Sequence, residues 1–117
     1  MILIVDDDEA MAETCSMFLE TQGFEVAIAA SGAEALSRIT GEAPELIISD
    51  CSMPGMTGVE LSECVKADPA TADLPIVLMS ASLRRDAAPG QNYDAFLRKP
   101  FLAEKLLEEV KRLLPAA

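Results

Sequence analysis

Short apolar segments recur along the chain and predict the strands of a buried sheet. Three of them are unbroken apolar runs, as expected of parallel strands covered on both faces: "ILIV" (2–5), "LII" (46–48) and "IVLM" (76–79). The segment "FEVAIA" (24–29) instead alternates, with Phe24, Val26 and Ile28 on one face, which predicts a strand at the sheet edge. A fifth strand is predicted at "AFLR" (95–98).

Apolar positions at helical spacing lie between these strands and predict helices. The apolar face of the first helix comprises Met11, Cys15, Phe18 and Leu19. Ser31 with Glu34, and Thr57 with Glu60, have the spacing of capping boxes and predict the starts of the second and third helices. The last helix carries Leu102, Leu106, Val110 and Leu113. The alternation indicates β-α units, so the predicted fold class is α/β with an open, doubly wound sheet.

The segment between the fourth and fifth strands is the weakest helical candidate. In "SLRRDAAPGQNYD" (82–94), Pro89 and Gly90 stand where a helix should continue. A proline inside a helix removes a backbone hydrogen bond and costs ~3 kcal/mol, and a glycine adds about 1 kcal/mol. We therefore predict a fourth helix that is shortened or irregular, at most a turn over Leu83–Ala88, followed by an irregular, mobile loop.

Composition and charge exclude several functional classes. The 117 residues, half of them apolar, fit one globular domain, predicted to span 1–117. The net charge of −11 repels phosphate backbones and anionic lipids, which argues against direct binding to nucleic acid or to a membrane surface. No apolar run has the length of a membrane span or of a signal-peptide core, so we expect a cytoplasmic protein.

The cysteines do not form a metal-binding pattern. Cys15, Cys51 and Cys64 have no CxxC spacing and the chain has no histidine, which nearly excludes a zinc site. We expect Cys15 and Cys64 to be small packing residues of a protein in a reducing compartment. Cys51 is also expected to be inert, in a packed or partly exposed position.

Polar residues cluster where the predicted strands end. Asp6 and Asp7 follow the first strand, Asp50 ends the third, Ser80 ends the fourth and Lys99 follows the fifth. In open α/β sheets, ligands bind outside the carboxyl ends of the strands. We therefore expect all five side chains to meet on one rim of the sheet.

Carboxylates gathered on one rim repel one another unless a cation neutralises them. Hard oxygen ligands completed by water describe a Mg²⁺ site better than a site for a soft metal. Asp8 and Glu9 have a different interpretation, because they can cap the first helix, and acids at a helix N-terminus are favoured by the helix dipole. That interpretation does not extend to Asp50, which lies on another β-α unit.

Four segments carry a family resemblance when taken together: "IVDDDEAM", "LIISDCSMPGMTGVEL", "IVLMSA" and "FLRKPF". In this order they resemble the receiver domain of bacterial two-component response regulators, over essentially the whole chain. The resemblance implies a single receiver domain with a five-stranded parallel sheet of flavodoxin-like order 2-1-3-4-5 and helices on both faces.

The resemblance also implies a function. Such a domain is a signalling phosphoacceptor, not an enzyme; it takes a phosphoryl group from a sensor histidine kinase or a histidine phosphotransfer protein. Its phosphorylation state switches its binding to a downstream protein target. Since the helix between the fourth and fifth strands is predicted to be curtailed, we expect a monomer or weak dimer that signals through that loop and the Phe96 region.

Site roles follow from the same resemblance, residue by residue. Asp50 matches the phosphoacceptor. The Mg²⁺ ligands would be Asp6, Asp7, Asp50 and the backbone carbonyl of Ser52. The residues that match the contacts to the phosphoryl oxygens are Ser80 and Lys99. Phe96 matches the aromatic switch position, and the bond between Lys99 and Pro100 is expected to be cis.

Three other functions fit parts of the sequence. A haloacid-dehalogenase-like phosphohydrolase would use Asp6 and Asp8 as its D-x-D pair, but Ala10 and the missing acid pair after the fourth strand depart from that family. A flavodoxin-like flavin binder would need a phosphate loop after the first strand, which this chain lacks. A receiver-like module that is never phosphorylated usually loses one of the acid, hydroxyl or lysine positions, all of which are present here.

Overall fold

Five parallel strands form the centre of the molecule. A computed structural model describes residues 1–81 and 93–114. Its elements, in chain order, are β1 (Ile2–Val5), α1 (Glu9–Thr21), β2 (Val26–Ala29), α2 (Gly32–Gly41), β3 (Leu46–Asp50), α3 (Gly58–Ala67), β4 (Ile76–Ser80), β5 (Ala95–Arg98) and α4 (Ala103–Leu113). The strand order is β2-β1-β3-β4-β5, which confirms the doubly wound fold and the edge position of β2.

The predicted turn over Leu83–Ala88 and the loop after it lie outside the described residues. The helix named α4 here is therefore the one that follows β5. Within residues 1–81 and 93–114, none of the helices is long and apolar enough to cross a membrane.

Two apolar layers cover the two faces of the sheet. Because side chains alternate along a strand, Leu3 and Val5 of β1 pack towards α2 and α3, whereas Ile2 and Ile4 pack towards α1 and α4. All four of these side chains are buried. The unbroken apolar run at 2–5 therefore reports burial on both faces, as the sequence predicted.

The helix starts agree with the sequence at two positions and depart from it at a third. The carboxylate of Asp8 accepts the Met11 N–H (3.2 Å) at the start of α1, and Thr57 with Glu60 forms a complete capping box at α3. At α2 the box is half formed. The Ser31 hydroxyl accepts the Glu34 N–H (3.1 Å), but the Glu34 carboxylate accepts its hydrogen bond from the N–H of residue 30 (3.0 Å).

The last predicted helical face is correct except at its first residue. Leu106 and Val110 are buried, but Leu102 is 72% exposed. Its backbone is still extended (φ −76°, ψ 144°) at the position before α4, so its side chain does not join the helical face. The prediction for Leu102 was therefore wrong.

The three cysteines occupy different environments. Cys15 and Cys51 are buried in the apolar layers, which confirms their packing role, whereas Cys64 is exposed and its predicted packing role is wrong. The buried face of α3 contains Leu61 and Val65, and Cys64 lies beside that face.

Native thiol reactivity should follow this burial. Burial raises the pKa of the Cys15 thiol, and the nearby charge of Asp6 raises it further, so little thiolate forms at neutral pH. We expect a maleimide to label Cys64 rapidly in the folded protein and all three cysteines after denaturation. Cys64→Ser should remove the rapid reaction. Rapid labelling that persists in this variant would contradict the burial of Cys15 and Cys51.

Candidate functional site

Three carboxylates meet at the carboxyl ends of two neighbouring strands. Asp6 and Asp7 directly follow β1, and Asp50 is the last residue of β3, which is hydrogen-bonded to β1. One oxygen from each of these carboxylates lies within 4.8 Å of the other two. Asp6 and Asp50 are buried and Asp7 is exposed, so the cluster opens to solvent on the side of Asp7. The sequence prediction that these acids converge is confirmed.

The turn after β1 orients the first acid of the cluster. The Asp6 N–H donates to the carbonyl of Ala29 (3.1 Å), which extends the pairing of β1 with β2 by one residue. Oδ1 of Asp6 then accepts the N–H of Asp8 (2.9 Å). Because this bond closes a side-chain turn, the Asp6 carboxylate is held while the chain enters α1.

Lys99 joins the two buried acids. Its Nζ donates to Oδ1 of Asp50 (2.9 Å) and to Oδ2 of Asp6 (3.3 Å). Its backbone N–H donates to the carbonyl of Ser80, the last residue of β4 (2.7 Å). This hydrogen bond holds the lysine backbone beside β4, and from there the side chain reaches the acids. The bond between Lys99 and Pro100 is cis, as expected.

The pKa values of Asp6 and Lys99 are both raised, for different reasons. Burial raises the pKa of Asp6, and this outweighs the Asp8 N–H and the Lys99 charge, which lower it. Burial alone would lower the pKa of Lys99, but its hydrogen bond to Asp50 and the charge of Asp6 outweigh burial and raise it. Lys99 is therefore a cation at neutral pH, and one lysine does not balance three carboxylates.

The donor atoms of the cluster fit a hard divalent cation. All three groups offer carboxylate oxygens, and neither a thiol nor an imidazole belongs to the set. Such oxygens suit Mg²⁺ or a similar hard cation, and the exposed side at Asp7 leaves room for water ligands. The acidic triad is thus suitable for a metal.

The remaining predicted residues lie on β4, just after β3 and on β5. Ser80 ends β4 and is buried, opposite Arg98 in the register of β5. Ser52 is exposed and lines an open depression of about 480 Å³ beside Asp50. Phe96 is partly buried against the apolar layer of α2 and α3, with its ring tilted against that of Tyr93 (centroids 6.5 Å apart).

Two residues that sequence analysis did not single out contact the backbone of Asp50. The Ser49 hydroxyl donates to the carbonyl of Asp50 (3.0 Å), and Gly58 lies against the same carbonyl. For Ser49, the sequence signal is a polar residue just after a fully apolar run. For Gly58, it is a glycine directly after the Thr57 cap.

Asp8 does not belong to the carboxylate cluster. Its side chain caps α1 through the Met11 N–H. The phosphohydrolase alternative needs Asp8 beside Asp6 as a reacting acid, and the structure gives it a different role.

Comparisons with known proteins agree with this geometry. A family model described as "Response regulator receiver domain" matches residues 2–111. The DNA-binding response regulator MtrA of Mycolicibacterium paratuberculosis is 32% identical over 116 residues, covering 97% of this chain and 50% of that protein. The chain thus spans about half the length of such curated relatives.

Solved structures are similar over nearly the whole chain. A putative response regulator from Chloroflexus aurantiacus superposes with a TM-score of 0.91 at 36% identity, covering 98% of this chain and 97% of that one. The response regulator TrrA from Thermotoga maritima, solved in complex with Mg²⁺ and BeF, has a TM-score of 0.87 at 31% identity. That comparison covers 96% of each chain.

Proposed function

Because this chain belongs to the response regulator receiver family, whose domains are signalling phosphoacceptors, not classical enzymes, we propose that Asp50 accepts a phosphoryl group. The observation that carries this proposal is the position of its carboxylate, 2.9 Å from Nζ of Lys99 and beside the acids that follow β1. Among the acids of the cluster, Asp50 is the one that lies at the end of the central strand β3.

The transfer itself requires little covalent chemistry from the protein. A carboxylate oxygen of Asp50 attacks the phosphorus of a phosphohistidine, an O–P bond forms, and the P–N bond breaks as the imidazole leaves. Negative charge on the phosphoryl oxygens is met by the ammonium of Lys99, and the Ser80 hydroxyl donates to one of them. Catalysis rests on positioning and charge neutralisation.

Oxygen atoms from the ends of β1 and β3 would hold the metal. Asp6, Asp7 and Asp50, with the backbone carbonyl of Ser52, would bind Mg²⁺. When bound, the ion supplies positive charge at the phosphoryl oxygens. The protein residues determine where it binds and keep the Asp50 carboxylate directed at the incoming phosphorus.

We take the domain to be residues 1–117. Its phosphorylation state is the signal. We propose that the donor is a sensor histidine kinase or a histidine phosphotransfer protein in the cytoplasm, and that the reader is a downstream protein. The chain acts as a monomer or weak dimer, with Ser80 and Phe96 as the residues that transmit the change. The DNA-binding function belongs to relatives about twice as long as this chain.

Mass spectrometry after incubation with Mg²⁺ and acetyl phosphate or phosphoramidate tests the proposal. A phosphoacceptor gains one phosphoryl group that is stable in acid and labile in base. A phosphohydrolase would release inorganic phosphate without a stable adduct. A module that works without phosphorylation would give neither result, and that outcome would overturn the proposal.

A further inference from the structure

We propose that Ser49 and Gly58 are positioning residues that fix the peptide carbonyl of Asp50 and, through it, the direction of the Asp50 carboxylate. The inference rests on the proposed role of Asp50 as phosphoacceptor. Both residues contact the backbone of Asp50, so both would act through that backbone.

Ser49 holds the carbonyl from within β3. Its side chain is fully buried, and its Oγ donates to the Asp50 carbonyl oxygen at 3.0 Å. By the alternation of the strand, Ser49 shares the face of Ile47, which packs towards α2 and α3. A buried hydroxyl without a partner is costly, so the hydrogen bond fixes the hydroxyl and the carbonyl relative to each other.

Gly58 holds the same carbonyl from the side of α3. It is the first residue of the helix, and a Cβ placed on it would overlap the carbonyl oxygen of Asp50 and lie 2.9 Å from Cα of Cys51. The Gly58 N–H also donates to the Cys51 carbonyl (2.9 Å). Because the atoms in the way are backbone, a side chain at Gly58 requires the start of α3 and the end of β3 to move apart.

A displacement there would act directly on the site. The Cys51 N–H donates to the carbonyl of Met79 (2.8 Å), so the peptides after Asp50 are held by β4 as well as by α3. The carboxylate of Asp50 depends on this backbone for its 2.9 Å contact with Lys99 and for its distance to the other acids. Misplacing a reacting group by about 1 Å can slow a reaction by up to ~100-fold.

The first test compares two buried serines that undergo the same chemical change. Ser62, also fully buried, donates through Oγ to the carbonyl of Val59 (2.7 Å) within α3, and not to that of Asp50. At saturating Mg²⁺ and acetyl phosphate, we expect Ser49→Ala to be phosphorylated about tenfold more slowly than wild type. Ser62→Ala should stay within about twofold, even if both variants lose similar stability in urea.

The second test compares two glycines. A Cβ on Gly41, at the end of α2, would meet no atom within 4 Å, so Gly41→Ala removes the same flexibility without displacing anything. Gly58→Ala should be phosphorylated ~100-fold more slowly, and Gly41→Ala at nearly the wild-type rate. If Gly58→Ala fails to fold, the comparison of Ser49→Ala with Ser62→Ala tests the proposal on its own.

Calorimetric titration of Mg²⁺ gives a readout that does not require phosphorylation. Ser49→Ala should bind Mg²⁺ more weakly than Ser62→Ala, because Asp50 is one of the proposed ligands. Equal rates and equal Mg²⁺ affinities in the two serine variants would overturn the proposal, as would a Ser49→Ala protein that does not fold. A wild-type protein that takes no label would refute the proposed function instead, and the Mg²⁺ titrations would still test the positioning.

Discussion

The Asp50→Asn variant is expected to take up no phosphoryl group from acetyl phosphate, whereas wild type gains one. An asparagine amide has nearly the same shape as the carboxylate but is not a nucleophile that can form an acyl phosphate. The measurement is the intact mass after incubation with Mg²⁺. Because the amide keeps the shape of the side chain, we expect the fold to be retained, and the loss of labelling would then be assigned to the missing carboxylate oxygen.

Asp73→Asn is a matched control for this variant. Asp73 is an exposed acid between α3 and β4, and its substitution changes the net charge by the same amount. It should label as wild type does. A phosphoryl group found on Asp50→Asn would place the nucleophile at another residue, and peptide mapping would then identify it.

The strands were predictable because the pattern of apolar residues in each one follows how deeply that strand is buried. The residues of β1 are buried on both faces and form an unbroken apolar run, whereas the edge strand β2 is mostly half-buried and lies in the alternating segment 24–29. The order of the strands was not derivable from these runs. A run reports how deeply a strand is buried and not which neighbour it pairs with, so the order came from the family resemblance.

The carboxylate cluster was predictable for a topological reason. Parallel strands end on the same edge of the sheet, so Asp6, Asp7 and Asp50 had to approach one another once their strands were neighbours. The contacts of Ser49 and Gly58 were not predictable in this way. The Gly58 contact depends on how closely α3 approaches the end of β3, and the Ser49 bond depends on which way its hydroxyl is turned; the residue types alone specify neither.

Two predictions about helix starts were wrong, each at a single residue. Leu102 has the spacing of the α4 apolar face, but the helix begins one residue later. Ser31 has an extended backbone (φ −156°, ψ 164°), and the Glu34 carboxylate bonds the N–H of the residue before it. In both cases the residue type was compatible with the prediction, and the departure is confined to a single position.

Asp7→Asn should separate metal binding from stability. Asp7 is the exposed member of the triad, while Lys99 is hydrogen-bonded to the two buried acids. Removing this charge takes away a proposed ligand of Mg²⁺, so the dissociation constant should rise about tenfold or more. In the absence of metal, the same change relieves repulsion between like charges, so stability should be equal or higher.

Thermal melts with and without Mg²⁺ measure both effects in one experiment. A ligand that binds the folded state stabilises it in proportion to the logarithm of its concentration over its dissociation constant, so the Mg²⁺-dependent rise in melting temperature should shrink in Asp7→Asn. Glu20→Gln removes an equivalent exposed charge near the end of α1 and should keep the full rise. If the free energy of unfolding of metal-free Asp7→Asn falls by ~1 kcal/mol or more, this acid stabilises the fold as a helix cap does. That result would contradict its role as a metal ligand repelled by the neighbouring acids.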